Sequence, residues 1–157
     1  MNNSIKMQLE DHPFFRGMKA EHLEAILDDA TEVSFGADNI IFREGEPANR
    51  FYLIESGHVA LEAHEPGDGT ALIQELGAGD ALGWSWLYPP FLWHCQARTI
   101  EPTRAVVLNG AHLLVVAERD SAFGYELVKR VSQVVIQRLQ SARKRLIAQQ
   151  LEPAFGG

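Results

Sequence analysis

The chain has 157 residues, 46% of them hydrophobic and 22% charged, the proportions of an ordinary globular domain with one core. Its formal charge of -7 opposes general nucleic-acid binding, which Lys and Arg drive by displacing counterions from phosphate. No apolar run approaches the ~20 residues of a membrane span, the N-terminal MNNSIKMQLEDHPFF lacks the apolar core of a secretory signal, and the single Cys95 cannot close an internal disulfide. A cytoplasmic protein with no membrane partner is expected.

From Lys19 to Ala30, the residues Leu23, Ile26, Leu27 and Ala30 recur at helical spacing and predict one short amphipathic helix. Between Thr31 and Asn109 the pattern changes to short apolar or alternating runs, NIIF, RFYLIES, HVALEAH, ALIQEL and TRAVVLN. Turn residues separate them at Gly36, Glu44-Gly45, Ser56-Gly57, Gly67-Asp68-Gly69, and Gly77 with Gly79. Many short strands with no long helix between them predict an antiparallel sandwich or barrel and disfavour a doubly wound sheet. After Ala111 the pattern is helical again, with a short piece near 111–118 and a long helix over 121–150. In the long helix Val128, Val131, Val135, Leu139, Ala142 and Leu146 form one stripe, whose first half is expected to pack on the sheet. The second half, RLQSARKRLIAQQ, keeps Leu139, Ala142 and Leu146 in line, a seam suited to pairing with a second copy across a two-fold axis. Six of the fourteen basic residues lie in this helix: Lys129, Arg130, Arg138, Arg143, Lys144 and Arg145. They are read as its solvated face. Residues 1–150 are thus expected to form one domain, with a β-roll over about 31–109, and 151–157 a tail.

No arrangement of residues carries evident catalysis. GAGDALG, Gly77 to Gly83, has two glycines of a dinucleotide fingerprint, but Pro89-Pro90 follows where a helix should open. The six histidines show no metal-ligand spacing beyond His58 and His64, which an alternating strand places on one face. Nothing resembles a nucleophile elbow or a phosphate-cradling loop with a lysine. A non-enzymatic role is expected. The unusual stretch is GWSWLYPPFLWHCQAR, residues 83 to 98, which holds all three tryptophans and the cysteine.

The order of elements, and the segments HPFFRGMKAEHLEAIL and IIFREGEPANRFYLIESGHVAL with turn glycines at Gly45 and Gly57, resemble the cyclic-nucleotide-binding domain family over residues 12 to 150. The resemblance implies an eight-stranded antiparallel jelly roll, mainly β with flanking α, with a short helix before it and a long helix behind. In the family a cassette that begins with Gly-Glu and ends near an Arg holds the cyclic nucleotide. Backbone N–H groups at the start of a short helix receive the phosphate, a glutamate takes the ribose hydroxyl, and the arginine neutralises the phosphate. Laid onto this chain, GDALGWSW to WHCQARTI is the cassette, with Gly79-Asp80 and Gly83 in their expected places. Trp84 stands where the glutamate should be, Trp93 where the arginine should be, and His94 follows it.

Both charged anchors are therefore replaced. A hydrogen bond to a charged group contributes about 1.5–3 kcal/mol, so affinity for a cyclic nucleotide is expected to fall by roughly two orders of magnitude or more. His94 or Arg98 could restore part of the charge, although in a regular strand Arg98 lies on the face opposite Trp93. The candidate ligand-binding residues are Gly83, Trp84, Ser85, Trp86, Trp93, His94 and Arg98. The tryptophans either line a pocket for a planar ligand or fill the emptied slot as core. The first alternative makes the chain a regulatory module sensing a small ligand, cAMP, cGMP or an aromatic substitute, and signalling through its C-terminal helix. The second makes it a ligand-free dimeric scaffold for protein interaction. Only LEPAFGG follows the long helix, where catabolite-activator-type regulators carry a helix-turn-helix, so direct DNA binding is not expected.

Overall fold

A computed structural model of the chain describes residues 2–67 and 69–156, with side chains described for 4–67 and 69–150. Two helices lead in, α1 (Asn2–Asp11) and α2 (Ala20–Leu27). The second is the predicted amphipathic helix and buries His22, Leu23 and Ile26. The first goes beyond the single helix expected there. Leu9 alone of its described residues is fully buried, which leaves little periodic signal to read. Between them Phe14 and Phe15 plug the roll, Phe14 meeting both Phe15 and Phe51 edge-on at 4.9 Å. His12 locks this plug: its Nδ1 accepts from the Phe14 N–H at 3.1 Å, leaving Nε2–H to donate to the Ile54 carbonyl at 3.2 Å. Burial pushes the His12 pKa down, consistent with a neutral ring in this double role.

The β-roll is antiparallel throughout and, among the described residues, has six strands: β1 (Thr31–Phe35), β2 (Ile40–Phe42), β3 (Arg50–His64), β4 (Thr70–Gly77), β5 (Ala81–Leu82) and β6 (Gln96–Asn109). Their order is β1-β6-β3-β4, with β2 added to β6 and β5 to β3. The mainly-β architecture with helices before and behind is as expected, but the strand count of eight is not. The reason lies in β3 and β6, which pair from Arg50↔Asn109 to Glu62↔Gln96 and pass through both halves of the roll. Ser56-Gly57, which punctuates the sequence as a turn, is instead a bulge where the register shifts and the ladder continues. Gly57 has φ +106°, and a Cβ there would lie 2.6 Å from the Thr103 Cα. Only glycine allows the two strands so close at this bend. Thr103 satisfies the irregular backbone, accepting from the His58 N–H at 3.2 Å and donating to the Glu101 carbonyl at 2.9 Å.

GAGDALG holds the end of β4, the turn at 78–80 and all of β5, and in it the Asp80 carboxylate accepts from the Gly77 N–H at 2.8 Å. Behind the roll, α3 (Gly110–Arg119) begins at Asn109, whose side chain caps it by accepting from the His112 N–H. The long helix α4 (Ser121–Gly156) is capped by Asp120, which accepts from Ala122 and Phe123 N–H groups. Phe123, Leu127 and Val131 are fully buried, whereas Ile136, Leu139, Leu146 and Ile147 are exposed. The first three turns of α4 thus dock on the roll, Val134, Val135 and the half-buried Arg138 keep contact with it over the next two, and residues 143–150 are exposed.

Candidate ligand site

The tryptophan-rich stretch starts at Gly83, φ +89°, directly after β5. It makes one 3-10 turn, Ser85–Leu87, then passes Tyr88, the cis-linked Pro89-Pro90 and Phe91. The segment is tied to the 45–48 turn: the Gly45 and Ala48 N–H groups donate to the Trp93 and Phe91 carbonyls at 2.8 and 2.7 Å, and the Trp93 N–H donates to Glu46 at 3.0 Å. The Glu-Pro-Ala turn is therefore the backbone partner of the cassette.

The three indoles have three different environments. Trp86 is 1% exposed; its Nε1–H donates to the Gly83 carbonyl at 2.6 Å, and its ring tilts against Phe51 at 5.5 Å. Trp93 is 5% exposed and lies flat on Phe42, with centroids 3.9 Å apart and planes 11° from parallel. A Cβ at Gly83 would stand 2.8 Å from the Trp93 ring, so glycine is required both for the left-handed backbone and for the indole. Trp84 is half-buried and carries the Arg138 guanidinium 4.4 Å from its ring centroid, a cation–π contact from α4.

Between these groups and α4 lies a cavity of about 340 Å³, within the range of small-molecule sites. Phe42, Leu61, Trp84, Trp93, Val135 and Leu139 supply its apolar walls, and Gln74, Ser85, His94, Cys95, Arg138 and Arg145 its polar points. Burial pushes the Cys95 thiol up to about 11, so it stays protonated at neutral pH.

Of the candidate residues, Gly83, Trp84, Ser85, Trp93 and His94 come together around the cavity, His94 being exposed. Trp86 and Arg98 do not line it. Trp86 faces the core beneath the 3-10 turn. Arg98 is engaged elsewhere, gripping both oxygens of Glu62 at 3.1 and 2.9 Å and Asp38 at 3.0 Å. Glu62 is itself almost fully buried and also accepts from Gln96, so this arginine serves as its counter-charge.

The functional group missed in sequence is Arg138. Assigned to the solvated face, it is half-buried, lies over Trp84 and donates to the Ala81 carbonyl. A signal was present: Arg138 follows the buried Val131 by seven residues, two helical turns, and so shares its inward face.

The profile of the cyclic nucleotide-binding domain matches residues 32–120. The chain belongs to this family. The CRP-like cAMP-activated global transcriptional regulator of Mycobacterium tuberculosis is 30% identical over 95 residues, 60% of this chain and 42% of the regulator. The chain thus matches less than half the length of that relative. Among solved structures, a Geobacter metallireducens GS-15 protein classed with the cyclic nucleotide-binding proteins is 29% identical with a TM-score of 0.78, over 85% of this chain and 97% of the other. The catabolite activator protein of Thermus thermophilus shares the fold at 22% identity and a TM-score of 0.68, over 89% and 64% of the two chains. The regulatory subunit of a cAMP-independent protein kinase A from Trypanosoma brucei does so at 21% and 0.69, over 84% and 47%. Among the described residues, no helix of this cyclic nucleotide-binding domain is long and apolar enough to cross a membrane.

Proposed function

We propose that this domain is a regulatory sensor whose ligand is planar and largely apolar, bound between the cassette and α4 and read out through α4. One observation carries the proposal. Trp93, at the position where the family's arginine neutralises phosphate, is packed flat on Phe42, yet an apolar cavity of about 340 Å³ remains beside it. Cyclic phosphate has lost its counter-charge at that point, and transfer of a phosphate into an indole-lined slot is costly. A flat apolar body gains instead, because Trp84 and Trp93 offer stacking surface. Val135, Leu139, Ala142 and Arg145 of α4 form one wall, so an occupant touches the helix that would carry the signal. Output then passes to a second copy of the chain or to a protein partner, with no reaction catalysed. Ligands other than a cyclic nucleotide occur on this fold: the regulatory subunit of a cAMP-independent protein kinase A from Trypanosoma cruzi is bound to guanosine.

Calorimetric titration with cAMP, cGMP and planar aromatic compounds tests this reading. Aromatic binders are expected in the micromolar range and cyclic nucleotides about 100-fold weaker or worse; micromolar cAMP affinity would overturn the ligand class. A second reading, a ligand-free dimeric scaffold, is favoured by the apolar exposure of Leu139 and Leu146. It requires a dimer that is indifferent to every compound in the panel.

A further inference from the structure

We propose that the ligand is an amphipathic monoanion, a planar apolar body bearing one carboxylate head, and that Arg138 of α4 holds that head. The inference rests on the cavity being the sensing site. Three arginines of this domain are half-buried, and two of them are paired with carboxylates. Arg98 grips Glu62 and Asp38, and Arg130 pairs with Glu126 while donating to the Phe14 and Arg16 carbonyls. Arg138 differs. Among the described residues it forms no ion pair, and its one hydrogen bond goes to a neutral acceptor, the Ala81 carbonyl.

A guanidinium has five N–H donors in a fixed fork, so Arg138 keeps donors for a bidentate acceptor. It also borders two cavities, the apolar one beside the tryptophans and a polar one of about 320 Å³ lined by Asp80, Arg130, Gln133, Gln137 and Ser141. The Trp84 ring holds it at 4.4 Å, which fixes its place without neutralising it. Burial pushes its pKa down to about 10 against the nearby Asp80 charge; it therefore remains a cation at neutral pH, partly desolvated and without a paired anion. A carboxylate matches the fork with two parallel hydrogen bonds. Of the two guanidiniums that border the cavity, Arg145 is exposed and screened by solvent, whereas the half-buried Arg138 balances one negative charge; a dianion would leave the second without a desolvated partner. The apolar body then lies along Trp84 and Trp93, and the head meets the helix.

The experiment compares 2-naphthoate, its uncharged amide 2-naphthamide, and cAMP, whose cyclic phosphate is the other source of a single negative charge, by calorimetry on the full chain. The unmodified protein is expected to bind 2-naphthoate about ten-fold tighter than the amide or more. Arg138→Gln should abolish that preference, the acid-to-amide affinity ratio falling to about one. Arg138→Lys, which keeps the charge and loses the fork, should retain part of it and serves if the Gln variant does not fold. Equal affinity for acid and amide would overturn the inference and leave the sensing site standing. Failure of both to bind at millimolar concentration would overturn the sensing reading as well. Preference for cAMP over 2-naphthoate, lost in Arg138→Gln, would overturn the carboxylate class.

Discussion

Trp93 and Trp86 are buried side chains, and of the two only Trp93 also borders the cavity. The Trp93 indole covers Phe42 and closes on Gly83, while Trp86 spends its one N–H on the Gly83 carbonyl, as a buried indole must. Replacing Trp93 by arginine would therefore not recreate a phosphate site. It would remove a large aromatic contact and place a cation against Phe42. Trp93→Arg is expected to destabilise the fold by about 3 kcal/mol or more, read from the denaturation midpoint. An unchanged midpoint with a gain in cAMP affinity would contradict this. That residues 83 to 98 are unusual was legible from the three tryptophans gathered there. Which indole is core and which is wall was not, because adjacent positions on a short irregular turn obey no period.

At the scale of elements, the roll depends on two long strands held in register. Beyond the bulge at Gly57, the Glu62–Arg98 pair ties β3 to β6 from the outside. Arg98 holds the Glu62 carboxyl below the usual carboxylate range, with Gln96 assisting against burial. The sign follows from linkage: a carboxyl lowered on folding stabilises the native state above its unfolded value, about 4.3. That contribution is lost as pH falls through the lower native value. Arg98→Gln is expected to cost about 1–3 kcal/mol at pH 7 and progressively less as pH falls below the unfolded value toward the lower native one. Urea denaturation at pH 7 and pH 3 measures the difference, and an equal loss at both would refute the pairing argument. The same strands explain the count of six: a bulge and a turn both call for glycine, and only the facing Thr103 shows which one Gly57 makes.

At the scale of the whole molecule, α4 is held on the roll as far as Arg138 and is exposed over 139–150. Leu139 and Leu146 are 67% and 57% exposed and seven residues apart, the spacing of a helix-pair seam. A dimer through this seam would place two cassettes beside one helical pair and give the sensor an output. Sedimentation at tens of micromolar protein is expected to show a dimer, and Leu146→Glu, which lies outside the cavity lining, a folded monomer. A monomeric parent chain would overturn the arrangement. The sequence by itself determined the β-roll with its flanking helices and the family resemblance, because both are written in local periodicity, turn residues and residue identity. Tertiary structure alone decided that Arg98 belongs to Glu62, that Arg138 meets Trp84 from a helix more than fifty positions away in the chain, and that a cavity survives between them and the core. Those facts depend on how separate elements face one another, and no spacing within one element encodes the partner it will meet.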